Sequence, residues 1–288
     1  MKTPEVSIIV RSFNEAWALK DTFAALKAQS FTEWELIVID SGSTDGSQEM
    51  IRAMSPAHFI QITPVDYNPG RVMNQGMRLA RAEFCIFLNA DATPQGNEWL
   101  APLVKMLGQP NVAAVFGRQI PRPDCELVFA SDYERCFGPD RESARWEHFF
   151  SMVSSGLRKS VWERRGFWEE LQYAEDDEYT RWCRAQGYTV QYVPDSIAMH
   201  SHNYTPQQAR KRSFGDAHAI GRAWPASRST TWSALRTVLL GWVRDIGHDA
   251  RYAVRVRRLG EMPHAIRIRW MQRTGKLAGL RAGYSETH

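Results

Sequence analysis

Short apolar runs alternate with helix-like segments over the first hundred residues, and this alternation restricts the fold more than any other feature of the chain. Residues 6–10, 35–39, 58–62 and 84–88 are strand-like, and helical patterns lie between them. Repeated strand–helix–strand units predict a mostly parallel sheet with right-handed crossovers. We therefore expect an α/β fold with a doubly wound sheet, in which ligands bind at the carboxyl edge of the strands.

The distribution of charge indicates a second region after this sheet. The chain has 288 residues and a net charge of +4, but residues 205–288 hold 16 Lys/Arg and 5 Asp/Glu, a net charge of +11. Residues 1–204 hold 20 basic and 27 acidic residues, a net charge of −7. This split predicts a sheet domain over 1–204 and a basic helical extension over 205–288 that meets an anionic partner.

A helical pattern in the tail has two interpretations. Apolar residues recur at spacings of three and four while arginines lie off this stripe: Trp232, Leu235, Leu239, Trp242 and Ile246 against Arg236, Arg244 and Arg251. Such a helix is typical of the surface of an anionic membrane, and equally of a helix that packs on its own protein. The sequence contains no run of 18 apolar residues, so we expect no conventional spanning helix.

Polar residues follow the predicted strands at the edge where ligands bind. Asp40 ends the second strand, and Asn89-Ala90-Asp91 follows the fourth. A carboxylate there can hold a divalent cation against a diphosphate, because hard cations prefer carboxylate and phosphate oxygens. Each acidic residue can instead cap its own turn. Residues 175–178 (EDDE) open a helix, where acidic side chains also favour the helix dipole.

Short motifs in a fixed order carry a resemblance to a known family. They are VSIIVRSFNE at 6–15, VIDSGSTD at 38–45, GRVMNQG at 70–76, NAD at 89–91, EDDE at 175–178 and HSHNY at 200–204. Together they resemble the family 2 glycosyltransferases of the GT-A fold. Residues 117–124 and 200–204 are most similar to the bacterial rhamnosyltransferase-type branch. The sequence has no Walker loop and no GxGxxG fingerprint, which argues against kinases and dehydrogenases.

The resemblance implies a binding site for a nucleotide sugar. Asp40 would accept a hydrogen bond from a pyrimidine base, or else cap the following turn. Arg11 would reach the nucleotide or pair with a neighbouring acid. The other implied nucleotide-sugar contacts are Arg71, Asn74, Asn89 and Ala90. The glycines that flank Arg71 and Asn74 fit either an anion site at a helix start or ordinary helix capping.

The resemblance also implies a cation and a catalytic base. Asp91 and His200 would hold Mn²⁺ or Mg²⁺, and an imidazole ligand shifts the preference toward Mn²⁺. Asn89 replaces an acid that is common in the family, so the cation depends more strongly on His200. Asp176 would deprotonate the acceptor hydroxyl, with Glu175 as the alternative. His200 could instead make an ordinary hydrogen bond at a strand end.

The resemblance implies an inverting glycosyltransferase with a nucleotide-diphosphate sugar as donor, with dTDP-rhamnose or a UDP-sugar as candidates. The expected acceptor is a hydroxyl of a cell-envelope or polyprenyl-linked glycan. Four cysteines without zinc-like spacing and no N-terminal signal segment favour a cytoplasmic setting, and the basic tail favours the inner face of the cytoplasmic membrane.

Two other functions stay open at this point. A nucleotidyltransferase could use a similar sheet, but the expected Gly-rich, Lys/Arg-bearing N-terminal loop is missing from the sequence. A non-catalytic nucleotide-binding module could use the +11 tail to hold nucleic acid. The tail has no recognised nucleic-acid motif, and its Trp/Leu stripe suits a membrane or a packing surface better, so we expect no nucleic-acid partner.

Overall fold

The computed structural model of the chain describes residues 3–146, 148–224 and 231–286. Its first part confirms the alternation of strands and helices. The elements are β1 (Val6–Ser12), α1 (Ala16–Lys27), β2 (Trp34–Asp40), α2 (Ser47–Ala53), β3 (His58–Gln61), α3 (Pro69–Leu79) and β4 (Phe84–Asn89). Residues of β1 and β2 such as Ile8, Ile9 and Ile37 are completely buried, as expected for strands with both faces covered.

The chain then continues through shorter strands into three long helices. These elements are β5 (Thr93–Pro94), α4 (Leu100–Leu107), β6 (Val112–Ile120), α5 (Leu127–Phe137), β7 (Ser154–Arg158), α6 (Lys159–Trp162), α7 (Glu175–Ala185), β8 (Thr189–Met199), α8 (Pro206–Ala223), α9 (Thr231–Val256) and α10 (Met262–Glu286). In the described part of the chain, no helix has the length and apolar character needed to cross a membrane.

Eight strands form one sheet in the order β3-β2-β1-β4-β7-β6-β8-β5. The pairs β3/β2, β2/β1, β1/β4 and β6/β8 are parallel, whereas β4/β7, β7/β6 and β8/β5 are antiparallel. The expected doubly wound α/β architecture is therefore confirmed, and its second half is mixed. The carboxyl ends of β1, β2 and β4 lie side by side, which places Ser12 opposite Asp40 and Arg11 opposite Asn89.

Residues 118–150 are more regular than their prolines and aromatics suggest. Such a composition is typical of an irregular surface loop, but β6 extends to Ile120 and α5 occupies Leu127–Phe137. The apolar residues of α5 pack with residues far along the chain, including Ala253 and Ile268. This long-range burial stabilises a helix that the local sequence periodicity does not predict.

The chain divides into two compact units. The first holds Met1–Ile120, Ser143–Leu171 and Glu175–His200, and the second holds Pro121–Glu142, Gln172–Ala174 and Ser201–His288. The C-terminal part of the second unit begins four residues before the boundary that the charge split predicts. The earlier segments Pro121–Glu142 and Gln172–Ala174 join it through tertiary contacts, which charge counting does not detect.

Close backbone contact holds two helices of the second unit together. Gly275, Gly279 and Gly283 recur every four residues on α10 and face backbone atoms of α8. A Cβ atom on Gly279 would lie 2.2 Å from the carbonyl oxygen of Phe214. The glycines therefore allow an approach that a side chain would prevent.

Candidate active site

A cleft of about 210 Å³ opens at the carboxyl ends of β1, β2 and β4. Its lining residues come from the strand ends and the loops that follow them: Arg11, Ser12, Phe13, Glu15, Ser41, Pro64, Tyr67 and Asn89. Open α/β sheets bind their ligands at this edge. The cleft contains two of the predicted nucleotide-sugar residues, Arg11 and Asn89.

Arg11 and Asn89 interact directly across the β1/β4 pair. The guanidinium of Arg11 donates a hydrogen bond to Oδ1 of Asn89 over 2.7 Å. Ala90 follows with its backbone N–H bonded to the Arg11 carbonyl, 3.0 Å away, and its side chain is fully buried. Arg11 thus meets an amide, and its contact with a nucleotide stays a prediction. The remaining guanidinium donors carry a positive charge at the cleft.

Asp91 and His200 come together although 109 positions separate them. Oδ2 of Asp91 lies 3.5 Å from Nε2 of His200, and Asp91 is completely buried. Nδ1 of His200 lies 3.2 Å from Oε1 of Gln119, whose amide nitrogen donates to the Ser151 hydroxyl over 2.7 Å. In this arrangement the Gln119 oxygen faces the ring and can accept a hydrogen from Nδ1.

This arrangement fits a divalent cation. With Nδ1 as the donor, a neutral His200 directs the lone pair of Nε2 toward the Asp91 carboxylate. Two electron-rich atoms 3.5 Å apart are stabilised by a proton or a cation between them. A ligating histidine typically donates its other N–H to an oxygen, and the Gln119 oxygen lies where it can accept from Nδ1 of His200. Carboxylate and imidazole together suit Mn²⁺ as well as other first-row metals.

Glu15 is a cleft residue to which the sequence analysis assigned no role. Burial, followed by the negative charge of Asp91, raises the pKa of the Glu15 carboxyl from 4.5 to about 8. Asn14 precedes it with φ of 55°, a conformation that asparagine tolerates better than most residues. Backbone N–H of Glu15 bonds to the Ser47 hydroxyl over 3.1 Å. The only sequence signal was its position at the end of the first motif.

Asp40 supports the turn that follows β2. Its carboxylate is fully buried and accepts hydrogen bonds from the backbone N–H groups of Gly42 and Ser43, at 3.1 and 2.9 Å. The Ser43 hydroxyl and the Gln48 amide also donate to it. The structure therefore contains the capping interaction that the sequence offered as the alternative. Contact between Asp40 and a nucleotide base stays a prediction.

Asn74 and Arg71 are engaged away from the lining of the cleft. Asn74 is buried; its amide donates to Phe167 O and Glu169 Oε1 and accepts from Trp162 Nε1, all within 2.9 Å. Arg71 forms an ion pair of 3.6 Å with the same Glu169. These contacts anchor α3 to the segment before α7. Their roles in nucleotide-sugar binding remain predictions.

The acidic start of α7 separates into different environments. Asp177 pairs with Arg181 at 3.0 Å and Glu178 with Arg165 at 2.5 Å, whereas Asp176 accepts from the backbone N–H groups of Met152 and Asp177. Burial raises the pKa of the Asp176 carboxyl, and the charge of Asp177 adds to this. Arg11 opposes it, which places Asp176 within the electrostatic range of the cleft.

Glu175, the alternative base, is buried at the first position of α7. A base that is half-buried and has a raised pKa holds a proton more readily near neutral pH than an ordinary aspartate. Asp176 has both properties. The choice between Asp176 and Glu175 as the base stays a prediction.

Comparisons with known proteins agree with this geometry. The sequence model of the family described as Glycosyl transferase family 2 matches residues 7–166. The O-antigen chain rhamnosyltransferase WbaN of Salmonella anatum is 30% identical over 223 residues, which are 73% of this chain and 70% of that protein. RfbN of Salmonella typhimurium, also an O-antigen chain rhamnosyltransferase, matches with the same identity and coverage.

Solved structures share the fold at low sequence identity. The mannosyltransferase PcManGT from Pyrobaculum calidifontis, solved with GDP-Man and Mn²⁺, has a TM-score of 0.67 and 18% identity. The match covers 100% of this chain and 89% of that one. Residues 1–349 of S. aureus TarS, solved with UDP, give a TM-score of 0.52 at 16% identity, with 95% and 90% of the two chains covered. Both likenesses confirm the GT-A fold.

Proposed function

The chain belongs to glycosyl transferase family 2, and from this premise we propose that it is an inverting rhamnosyltransferase that builds a cell-envelope glycan. Transfer of a sugar from a nucleotide donor follows from the family. The observation that supports a working site is the Asp91–His200 pair beside the Arg11–Asn89 contact at the carboxyl edge of the sheet. Protein residues there can bind a cation and an anionic leaving group together.

The proposed donor is a nucleotide-diphosphate rhamnose, with dTDP-rhamnose first and UDP-sugars second. Support comes from the 30% identity to two O-antigen chain rhamnosyltransferases. The structural relatives were solved with GDP-Man and with UDP, so the fold accommodates more than one base. Arg11 at the cleft is placed to add positive charge for the donor phosphates.

We assign Asp91 and His200 as the residues that would hold a divalent cation, with Mn²⁺ favoured over Mg²⁺. His202 stands two positions after His200 and is a candidate for a further ligand. A cation held there would stabilise the negative charge of the departing diphosphate. The Gln119 oxygen, 3.2 Å from Nδ1, would accept the Nδ1 hydrogen and so keep the His200 ring oriented toward the cation.

Asp176 acts as the base in the proposed reaction. The acceptor oxygen attacks the anomeric carbon, the bond from that carbon to the diphosphate oxygen breaks, and the hydroxyl proton passes to Asp176. Attack from the face opposite the leaving group inverts the anomeric configuration. Bonds from Met152 and Asp177 fix the carboxylate, and its raised pKa favours taking up the proton.

The proposed acceptor is a hydroxyl of a lipid-linked glycan at the cytoplasmic face of the membrane. The basic region over 205–288 supports this, since anionic lipids attract clustered Lys and Arg residues. The names of the curated relatives also refer to O-antigen chains.

The test is a panel of nucleotide sugars, with and without Mn²⁺, measured by thermal unfolding. A bound donor stabilises the folded protein, and a donor present at 100 times its Kd adds about 2.7 kcal/mol. We expect the largest rise in Tm with dTDP-rhamnose plus Mn²⁺. A larger rise with another sugar would overturn rhamnose as the donor. No rise with any nucleotide sugar would overturn the proposed reaction.

A further inference from the structure

The outer face of α9 exposes several large apolar side chains. Leu239, Leu240, Val243 and Val254 are between 45% and 63% exposed. At 100° per residue these four positions fall on one side of the helix. Ile266 and Trp270 of α10 are exposed as well, at 36% and 42%. Exposed apolar groups of this number on adjoining helices indicate an interaction site.

Trp242 connects the two helices at this face. Its indole N–H donates to the carbonyl oxygen of Ile266 over 3.2 Å. Its ring meets that of Trp270 edge to face, with centroids 5.5 Å apart. The apolar residues of α9 and α10 therefore form one surface. We name it the α9–α10 surface, and its members are Leu239, Leu240, Trp242, Val243, Val254, Ile266 and Trp270.

On α9 the acidic side chains are buried. Its two acidic residues, Asp245 and Asp249, are buried and bind arginines of α10. Asp249 receives a two-pronged contact from the buried Arg269, at 2.8 Å in each branch, and Asp245 pairs with Arg273. The two negative charges of this helix are thus paired with arginines inside the second unit.

The outward charges of α9 are positive. They belong to Arg236, Arg244, Arg251 and Arg255, all of them exposed. Arg255 pairs with Glu134 at 2.9 Å, and Arg244 lies 3.7 Å from the buried Asp245. Arg244 and Arg251 lie along the edge of the apolar residues, about 100° and 80° around the helix from Val243, whereas Arg236 lies on the apolar side, about 20° from Val243. Apolar residues bordered by arginine describe an interfacial helix.

We propose that the α9–α10 surface binds the plane of an anionic lipid bilayer. Leu240 and Val243 enter the boundary between headgroups and acyl chains, Trp270 lies at headgroup level, and the arginines meet lipid phosphates. Nucleic acid would engage the arginines but leave the apolar residues without a partner. A second copy of the chain would place arginine against arginine. The bilayer satisfies both the apolar and the charged part of the surface.

This inference rests on the proposed function for its biological purpose, because a lipid-linked acceptor would be presented at such a bilayer. It does not rest on the proposed function for its physical basis. Burial and charge of the second unit alone support the surface, so the two proposals can fail separately.

The experiment is flotation of the full chain with vesicles. One set contains phosphatidylcholine alone, and the other contains equal parts of phosphatidylcholine and phosphatidylglycerol. We expect flotation with the anionic vesicles, reduced by salt and weak with the neutral ones. Replacing Arg244 or Arg251 by Gln should weaken binding about fivefold each, since one basic residue near such a surface contributes about that factor.

The apolar part is tested with the double variant Leu240→Glu, Val243→Glu. Both side chains are more than half exposed, so the fold should tolerate them. The matched control is Val65→Glu, at a residue of the first unit that is 89% exposed. We expect the double variant to lose flotation and the control to keep it. Circular dichroism and Tm verify that both variants are folded.

Three results would overturn the surface assignment. They are equal flotation of the double variant and the unaltered chain, equal binding to neutral and anionic vesicles, and a dimer in sedimentation that the double variant abolishes. The rise in Tm with nucleotide sugar is measured on the same samples. Flotation without any donor effect would refute only the proposed reaction, and a donor effect without flotation would refute only the surface.

Discussion

Oε1 of Gln119 lies 3.2 Å from Nδ1 of His200, at the ends of the parallel strands β6 and β8. The other end of the Gln119 amide bonds to the Ser151 hydroxyl, which holds the amide beside the ring. Gln119 can then accept a hydrogen from Nδ1, which leaves Nε2 facing Asp91. A residue outside the proposed pair of ligands thus orients the His200 ring.

Replacing Gln119 with Leu removes the acceptor for Nδ1 and frees the imidazole to turn or change tautomer. We expect Mn²⁺ affinity to fall by roughly 10- to 100-fold, as for other partners of metal-ligating histidines. Electron paramagnetic resonance of free Mn²⁺ measures this without an activity assay. Gln119→Glu keeps an acceptor oxygen and should restore affinity. Unchanged affinity in Gln119→Leu would contradict the role of this contact.

Replacing Asp176 with Asn should lower turnover by roughly a hundred- to ten-thousand-fold, because an amide cannot accept the hydroxyl proton. The rise in Tm with donor should persist. Asp177→Asn is the control: Asp177 pairs with Arg181, and its charge raises the pKa of Asp176. That variant should keep turnover, with the acid limb of the pH profile moved to lower pH. Near-normal turnover in Asp176→Asn would contradict Asp176 as the base and favour Glu175.

Glu15 makes stability depend on pH near neutrality. Its pKa is about 8 in the folded protein, against an ordinary 4.5. Between these values the unfolded chain has lost a proton that the folded protein retains, so this carboxyl lowers stability as pH rises through the window. Glu15→Gln should flatten the decline of Tm from pH 4.5 to 8. An unchanged slope would show that the Glu15 carboxyl ionises normally.

Gly279 is the position in α10 where a side chain should be most disruptive. Its Cβ would lie 2.2 Å from the Phe214 carbonyl oxygen, so Gly279→Ala must force α8 and α10 apart. We expect a loss of about 1–3 kcal/mol in the free energy of unfolding. Gly247→Ala in α9 is the matched control, since its Cβ would meet only Arg251 at 3.7 Å. That change should stabilise by about 0.5–1 kcal/mol, measured by urea denaturation.

The sequence predicts the position of a candidate site residue wherever a motif coincides with the end of a predicted strand. Asp91 lies two residues after the end of β4, and the predicted α/β order alone indicates that it lies at the carboxyl edge. His200 was indicated by the family resemblance, and the structure shows that it directly follows β8. Arg11 and Asn89 lie opposite each other in the register of β1 and β4. The functional roles of these residues stay predictions.

Other properties depend on neighbours distant in sequence. The Asn74 amide oxygen accepts hydrogen bonds from Phe167 and Trp162, about 90 positions away. The helix α5 is stabilised because residues beyond position 250 cover its apolar side. The raised pKa of Glu15 needs both burial and the nearby charge of Asp91. Periodicity and motif spacing contain no information on such pairs.

The sequence by itself determined the alternation of strands and helices, the family, and the strand ends at which polar residues gather, because these follow from local periodicity and motif order. Tertiary structure decided which groups face the two nitrogens of His200, which carboxyl has a raised pKa, and which face of α9 meets solvent. The physical reason is that protonation and exposure depend on burial and on opposing groups. Asp245 and Asp249 are an example. Counted in the sequence, they lower the net positive charge of α9, but in the fold they are buried and paired with arginines.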